Sequence, residues 1–256
     1  MAINSSNNQT NGQFIWLGIF AHPDDETSAS AGTMVKWVSE NNAAFVVTAT
    51  GGELGTLGTG GLVIQRENLG SVRETELKEN LAMYGCNPPF MLRYRDQELA
   101  DEEIGILSMK ILDIIHLINP DIIATFGPSG ISNHTDHIAI HNATKKAYED
   151  YKNSSDRQRV PILIYPSISE EMATQYSLDL SSDEKKMDID IDINSSVDIK
   201  IKGLRNYKSQ EDAQEFAEHL DNLKSNKKAN IESFAVSPIT PSDWASYPVV
   251  EHLKNL

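Results

Sequence analysis

The chain has 256 residues, with 22 Lys and Arg against 37 Asp and Glu and a formal net charge of -15. That balance opposes non-specific attraction to nucleic-acid phosphates or anionic membranes, and a hydrophobic fraction of 39% argues for a packed core rather than disorder. The single cysteine, Cys86, excludes an internal disulfide framework and a thiolate zinc cluster.

The polar residues 1–13 lack the basic and apolar regions of a signal peptide and are expected to form a disordered arm. No apolar run approaches the roughly 20 residues that span a bilayer. Together these features predict a cytoplasmic protein without nucleic-acid or membrane partners.

Phe14 to Ala21 (FIWLGIFA) is almost continuously apolar, as expected of a strand buried on both faces. The run breaks at HPDDE, and a helix is predicted from Thr27 to Glu40. Ala44 to Thr50 reads as a second buried strand, followed by a glycine-rich surface loop over residues 51–61 that could form a mobile rim. Glu67 to Tyr84 is a charged amphipathic helix stopped by Gly85 and the Pro88-Pro89 pair. Phe90 to Tyr94 is a short strand. Asp101 to Ile118 is a helix with Ile104, Leu107, Ile111, Ile114, Ile115 and Ile118 along one face.

Asp121 to Phe126 reads as a third buried strand, followed by the turn-rich GPSGISNHTDH and a helix from Asp136 to Tyr151. Pro161 to Tyr165 is another strand. This alternation predicts an α/β fold, a Rossmann-like and mostly parallel sheet with helices on both faces. A smaller C-terminal strand and helix extension follows. In it, DIDIDIN at Asp188 to Asn194 alternates as a half-exposed strand with Ile189, Ile191 and Ile193 inward. A calcium loop is excluded there because Ile193 stands where glycine is needed. Lys202 to Lys227 is expected to be mostly helical, and the tail SPITPSDWASYP to wrap the surface. No repeat or linker divides the chain, so residues 1–256 are expected to form one domain.

Two clusters carry chemistry. The first is Ala21-His22-Pro23-Asp24-Asp25-Glu26, at the carboxyl end of the first strand, where open parallel sheets bind ligands. His22 and Asp25, across a proline-stiffened turn, can converge on one cation, with Asp24 beside it to accept a proton from water. Alone, these acids would equally suit a helix N-terminus. The second cluster is Asn133-His134-Thr135-Asp136-His137, with His141 a turn later. If the two strands are neighbours, His137 completes a His-Asp-His set with an open position, the arrangement of a catalytic zinc. Another divalent first-row metal would also suit these donors. Four of the seven histidines, His22, His134, His137 and His141, lie in or beside these clusters, which favours the metal reading.

Rival motifs fail. The first strand-to-helix turn is acidic and would repel a pyrophosphate, the glycine-rich loop lacks a GK[ST] ending, and no GxSxG elbow is present.

The pairing of AHPDDE with a later HTDH resembles the LmbE-like, or PIG-L-like, family of zinc N-acetylglucosaminyl deacetylases. Thr50-Gly51-Gly52-Glu53-Leu54-Gly55 is similar to the family's T-x-G-E-x-G loop, Arg73 and Glu76 to its R-x-x-E helix, and Tyr94-Arg95-Asp96 to its Y-R-D segment. Lys200 to Gln210 resembles a later family helix. Tyr207 stands where many relatives have His, and Thr135 where Pro is common; neither departure removes a metal ligand.

The resemblance implies zinc on His22, Asp25 and His137, and Asp24 as general base for attack of water on an acetamide. It implies His134 as oxyanion stabiliser or proton donor to the amine, and Arg73 and Asp96 on the sugar. For Arg73 the plain alternative is a surface ion pair with Glu76. Asp136 is expected to hydrogen-bond a ring nitrogen or cap its helix, and either it or Asp24 could set the tautomer of His134. Glu26 is expected to support the turn. The implied partner is a small amino-sugar substrate; self-association is left open. The alternatives are an amidase acting on a thiol conjugate and a non-catalytic sugar-binding relative.

Overall fold

The computed structural model describes residues 13–175, 177–224, 230–237, 239 and 241–256. Residues 1–12 of the expected arm and residues 225–227 of the expected helical stretch lie outside the described residues.

Strand β1 (Ile15–Phe20) is buried along nearly its whole length, as its unbroken apolar run demands. It pairs in parallel with β2 (Ala43–Thr50) on one side. Its other neighbour is β4 (Ile122–Ala124), also parallel. With β3 (Phe90–Tyr94) beyond β2 and β5 (Ile162–Ser167) beyond β4, the parallel part runs β3-β2-β1-β4-β5. The order reverses between β1 and β4, so their carboxyl ends flank the crevice where such sheets hold ligands.

Helix α1 (Asp25–Ser39) begins two residues earlier than its periodicity suggested, because HPDD already turns into the helix. Helix α2 (Arg66–Tyr84) ends on Gly85 at φ 77°, a left-handed cap that glycine accepts without strain. Helix α3 (Ile104–Ile118) starts after a separate 3₁₀ turn at Leu99–Asp101. Its predicted apolar face is buried at Leu107, Ile111 and Ile115, whereas Ile104, at the helix start, is 46% exposed. Helix α4 (Thr135–Asn153) packs on α3.

The extension is larger than expected. After α5 (Glu170–Gln175) comes β6 (Ile189–Asp192), whose Ile189 and Ile191 face inward together with the following Ile193. The expected long helix is two, α6 (Val197–Asn206) and α7 (Glu211–Leu223), with Tyr207–Gln210 turning between them. Strand β7 (Ile231–Ser237) was not anticipated; it lies between β5 and β6, antiparallel to both. Its IESFAVS turns Glu232 inward and leaves Ile231 exposed, so its pairing partners rather than its own pattern make it a strand. Residues 238 and 240 of the expected surface-wrapping tail also lie outside the described residues. A 3₁₀ turn at Pro241–Ser246 leads into α8 (Pro248–Lys254), which buries Val249, Val250 and Leu253.

Candidate metal centre

The sequence neighbours of β1 and β4 meet as the strand order requires. His22, Asp25 and His137 form one of two groups among the described residues whose ligand atoms all lie within 4.8 Å of one another. His22 Nδ1 stands 3.2 Å from His137 Nε2. Asp25 Oδ1 is 3.3 Å from His137 Nε2, and Asp25 Oδ2 is 3.6 Å from His22 Nδ1. Donors held about 2.05 Å from a tetrahedral first-row cation stand about 3.3 Å apart, so the triangle has the dimensions such an ion needs.

The outward nitrogens explain why the inward ones are lone pairs. His22 Nε2 faces two acceptors, Asp96 Oδ1 at 3.1 Å and Asp136 Oδ2 at 3.3 Å. His137 Nδ1 faces the Gly130 carbonyl at 3.0 Å and Ser132 Oγ at 3.1 Å. Carboxylates and carbonyls only accept, so both outward nitrogens carry the hydrogen and both inward ones offer electron pairs. Two lone pairs 3.2 Å apart beside a carboxylate need a proton or a cation between them. Burial lowers the basicity of His22, yet the carboxylates of Asp136, Asp25 and Asp96 raise its pKa well above the ordinary value. Burial likewise works against the Asp25 charge, but His137 and His22 hold its carboxyl well below the usual range. Both directions express a site built for positive charge.

Asp25 also ties its own turn, since Oδ2 accepts the N–H groups of His22 at 2.8 Å and Ala21 at 3.2 Å. Asp24 is the N-cap residue of α1 by position, but its side chain makes no capping bond. Instead it sits at φ 97°, a conformation costing a non-glycine residue roughly 1–3 kcal/mol, and points its carboxylate at Arg73. Arg73 Nη2 donates to Asp24 Oδ2 and to the Pro23 carbonyl, both at 2.6 Å. Arg73 Nη1 donates to the Gly52 carbonyl at 2.9 Å. Gly52 has φ 61°, and a Cβ there would come within 2.3 Å of the guanidinium. Burial and the neighbouring Asp25 push the Asp24 carboxyl up against the pull of Arg73.

Arg73 therefore does not pair with Glu76, which accepts from the Ser209 backbone N–H and hydroxyl. The Arg73 Nε is buried without a partner. Asp96 sits behind His22 with both oxygens engaged, Oδ2 accepting the Leu54 N–H at 2.8 Å. Asp136 supports His22 rather than His134, and it also accepts the N–H groups of Gln97 and Leu99. The second possible metal group, His22, His134 and Asp136, is thus already hydrogen-bonded within itself and to the backbone.

His134 caps α4, its Nδ1 accepting the Asp136 N–H at 3.1 Å. Burial, with His22 and His137 nearby, lowers its pKa, so the ring is neutral with its hydrogen on Nε2. Glu26 supports the turn as expected, accepting from the Asp24 N–H, Thr27 and Tyr207, whose hydroxyl lies 2.7 Å from Oε1. The Tyr207 departure is therefore a hydrogen-bond donor to the turn.

The glycine-rich loop is tied down through Leu54 to Asp96, Thr56 to Gln210, and Gly58 to Ser209. Sequence reasoning missed Phe126, whose ring stacks on His137 with centroids 4.1 Å apart and planes 16° apart. Its place at the end of a strand preceding a histidine cluster was the only available signal. His141 lies behind it, Nδ1 facing the Phe126 carbonyl at 2.8 Å.

Fold and site define a Rossmann-like sheet carrying a His-Asp-His triangle of possible metal donors at its switch point. The chain belongs to the PIG-L family: the family model, described as GlcNAc-PI de-N-acetylase, matches residues 17–148. Among relatives, the mycothiol S-conjugate amidase of Streptomyces coelicolor is 29% identical over 178 residues, covering 63% of this chain and 59% of that protein. The probable N-acetyl-alpha-D-glucosaminyl L-malate deacetylase 2 of Bacillus anthracis is 34% identical over 131 residues, covering 51% and 58%. The chain thus spans less than three-fifths of either relative's length. In fold it is similar to the 4-carboxy-2-hydroxymuconate hydratase GalB of Pseudomonas putida KT2440, with a TM-score of 0.69, 15% identity, and coverage of 89% of this chain and 98% of that one. Likeness to a hydratase leaves the reaction to be argued from the site.

Proposed function

We propose that this chain is a zinc-dependent N-deacetylase that removes acetate from an N-acetylglucosamine-type sugar conjugate, an amidohydrolase acting on a linear amide. The observation that carries the reading is the triangle of inward-facing donors on His22, Asp25 and His137, with a second carboxylate, Asp24, beside it. A binding role alone would not require that second carboxylate. When bound, zinc supplies Lewis-acid polarisation and brings the pKa of water down towards ~7.

The chain's own residues do the rest. Asp24, fixed by Arg73 through Oδ2, accepts the proton of the attacking water on Oδ1. His134, with Nδ1 spent on the Asp136 N–H, has its Nε2–H left to steady the tetrahedral oxyanion, and the proton taken up by Asp24 passes to the departing amine. Asp96 and Asp136 orient His22. Arg73, buried and bonded to Asp24, Pro23 and Gly52, serves the substrate by holding Asp24 in place, and Asp96 reaches substrate only by way of His22. A cytoplasmic location belongs to the same reading, in keeping with the single cysteine; among the described residues no helix is long and apolar enough to cross a membrane.

A second reading, amide cleavage in a thiol conjugate, is favoured by one finding: the relative of that name matches a longer stretch of this chain than the malate deacetylase does.

Acetate release from a panel of N-acetylglucosamine conjugates, by zinc-reconstituted and chelated protein, tests the proposal. Chelator-sensitive release is expected, and Asp24→Ala should keep its zinc while turnover falls at least ~100-fold. Silence across the panel with zinc bound would favour the conjugate amidase, and full turnover in Asp24→Ala would remove the general-base role.

A further inference from the structure

Glu184 is fully buried although it lies in a turn outside the family-matched residues. Its carboxylate gathers donors from two segments. Oε1 accepts the Ile131 N–H at 3.0 Å, and Oε2 accepts the Ser129 N–H at 2.9 Å and the Ser181 hydroxyl at 2.7 Å. The loop it grips, residues 127–133, is strained. Gly130, Ile131 and Asn133 have φ of 66°, 54° and 61°, and a β-branched residue is a true outlier in that region. Gly127 is pressed against the glutamate, for a Cβ there would stand 2.1 Å from Glu184 Cγ. This same loop brings the Gly130 carbonyl and Ser132 Oγ to His137 Nδ1.

We propose that Glu184 is a positioning residue of the metal centre: by holding the strained 127–133 loop it aims the Gly130 carbonyl at His137 Nδ1, and so fixes the ring and the lone pair on Nε2. The inference rests on the reading of His137 as a metal ligand. Without the carboxylate the N–H groups of Ser129 and Ile131 lose their acceptor, and the left-handed run has nothing to oppose its relaxation. The Gly130 carbonyl then drifts from the imidazole, and the site loses one pre-aimed donor of three. Losing the partner that orients a ligating histidine typically costs 10–100-fold in metal affinity.

The test is a zinc titration of the full chain in competition with a chromophoric chelator, run alongside absorption spectra of the cobalt-loaded protein. Glu184→Gln keeps the side chain's volume but only one acceptor oxygen, and turns an amide NH₂ towards backbone N–H groups. It should bind zinc at least ~10-fold more weakly than wild type and shift the cobalt d–d bands, while the circular dichroism of the apoprotein is unchanged. Glu184→Ala should show a larger loss; should it fail to fold, Glu184→Gln decides. The control is Glu170→Gln, which alters an exposed ion pair with Lys185 and should change neither signal. A folded Glu184→Gln with wild-type zinc affinity and cobalt spectrum overturns the positioning role. Wild-type protein that takes up no zinc overturns the metal reading, and this inference with it.

Discussion

In the parallel part of the molecule, β1 to β5, the chemistry-bearing residues stand at strand ends: His22, Asp24 and Asp25 after β1, Asp96 after β3, and His134, Asp136 and His137 after β4. In the C-terminal extension no described residue belongs to the His22, Asp25 and His137 triangle, yet several buried polar side chains reach into the elements that carry it. Lys200 donates to the Ser28 carbonyl of α1 at 2.8 Å and to Glu232 of β7 at 2.6 Å. Glu232 in turn accepts the N–H groups of Gly32 and Thr33 in the same helix. Tyr207 bonds Glu26, and Gln210 bonds the loop at Thr56. One region supplies donors, and the other stabilises the backbone that aims them. A buried polar group away from the reacting atoms is worth keeping only if it is satisfied, and here the satisfied partners are the site's own supports.

The sharpest way to break this division is at the buried pair. Lys200→Ala leaves Glu232 charged, buried and short of a partner, and should cost about 3–5 kcal/mol in a urea unfolding experiment. A loss under about 1 kcal/mol would show that the extension does not anchor α1. A smaller effect is expected from Gly32→Ala on the same contact. The added Cβ would stand 2.7 Å from Ile193, and overpacking of about 1–3 kcal/mol should outweigh the roughly 1 kcal/mol that alanine gains in a helix. A thermal midpoint at or above wild type would mean that β6 and α1 can separate at no cost.

The smallest effect sharpens the comparison through pH. Burial opposes the Glu184 charge, but Ser181, Ile131 and Ser129 hold its carboxyl below the usual glutamate value. Its contribution to stability is therefore complete above the unfolded value of about 4.5 and is lost as pH falls through the lower folded one. Glu184→Gln should flatten the fall in stability below about pH 4.5, and a curve parallel to wild type would show that the carboxylate is not favoured in the fold.

The parallel strands and the two clusters were legible because their signals are local. An unbroken apolar run such as FIWLGIFA has one economical placement, between two neighbours, and HPDD and HTDH follow such runs at the end where ligands bind. For His22, Asp25 and His137 to meet, β1 and β4 needed only to be adjacent, and the parallel topology makes them so. Strand β7 could not be read, since its pattern turns a charged residue, Glu232, inward and leaves Ile231 exposed, and pairing with β5 and β6 makes it a strand.

What the amino-acid sequence determined by itself is the class of fold, the donor types and their places at strand ends, because hydrophobic periodicity and side-chain chemistry are properties of neighbouring residues. Only the tertiary structure decided which carboxylate faces which nitrogen. Asp136 supports His22 rather than His134, Arg73 holds Asp24 rather than Glu76, and Glu184 reaches the loop beside His137 across more than fifty residues. Such pairings depend on long-range packing that excludes water, and a charge finds its partner by proximity in the folded core, whatever its distance along the chain.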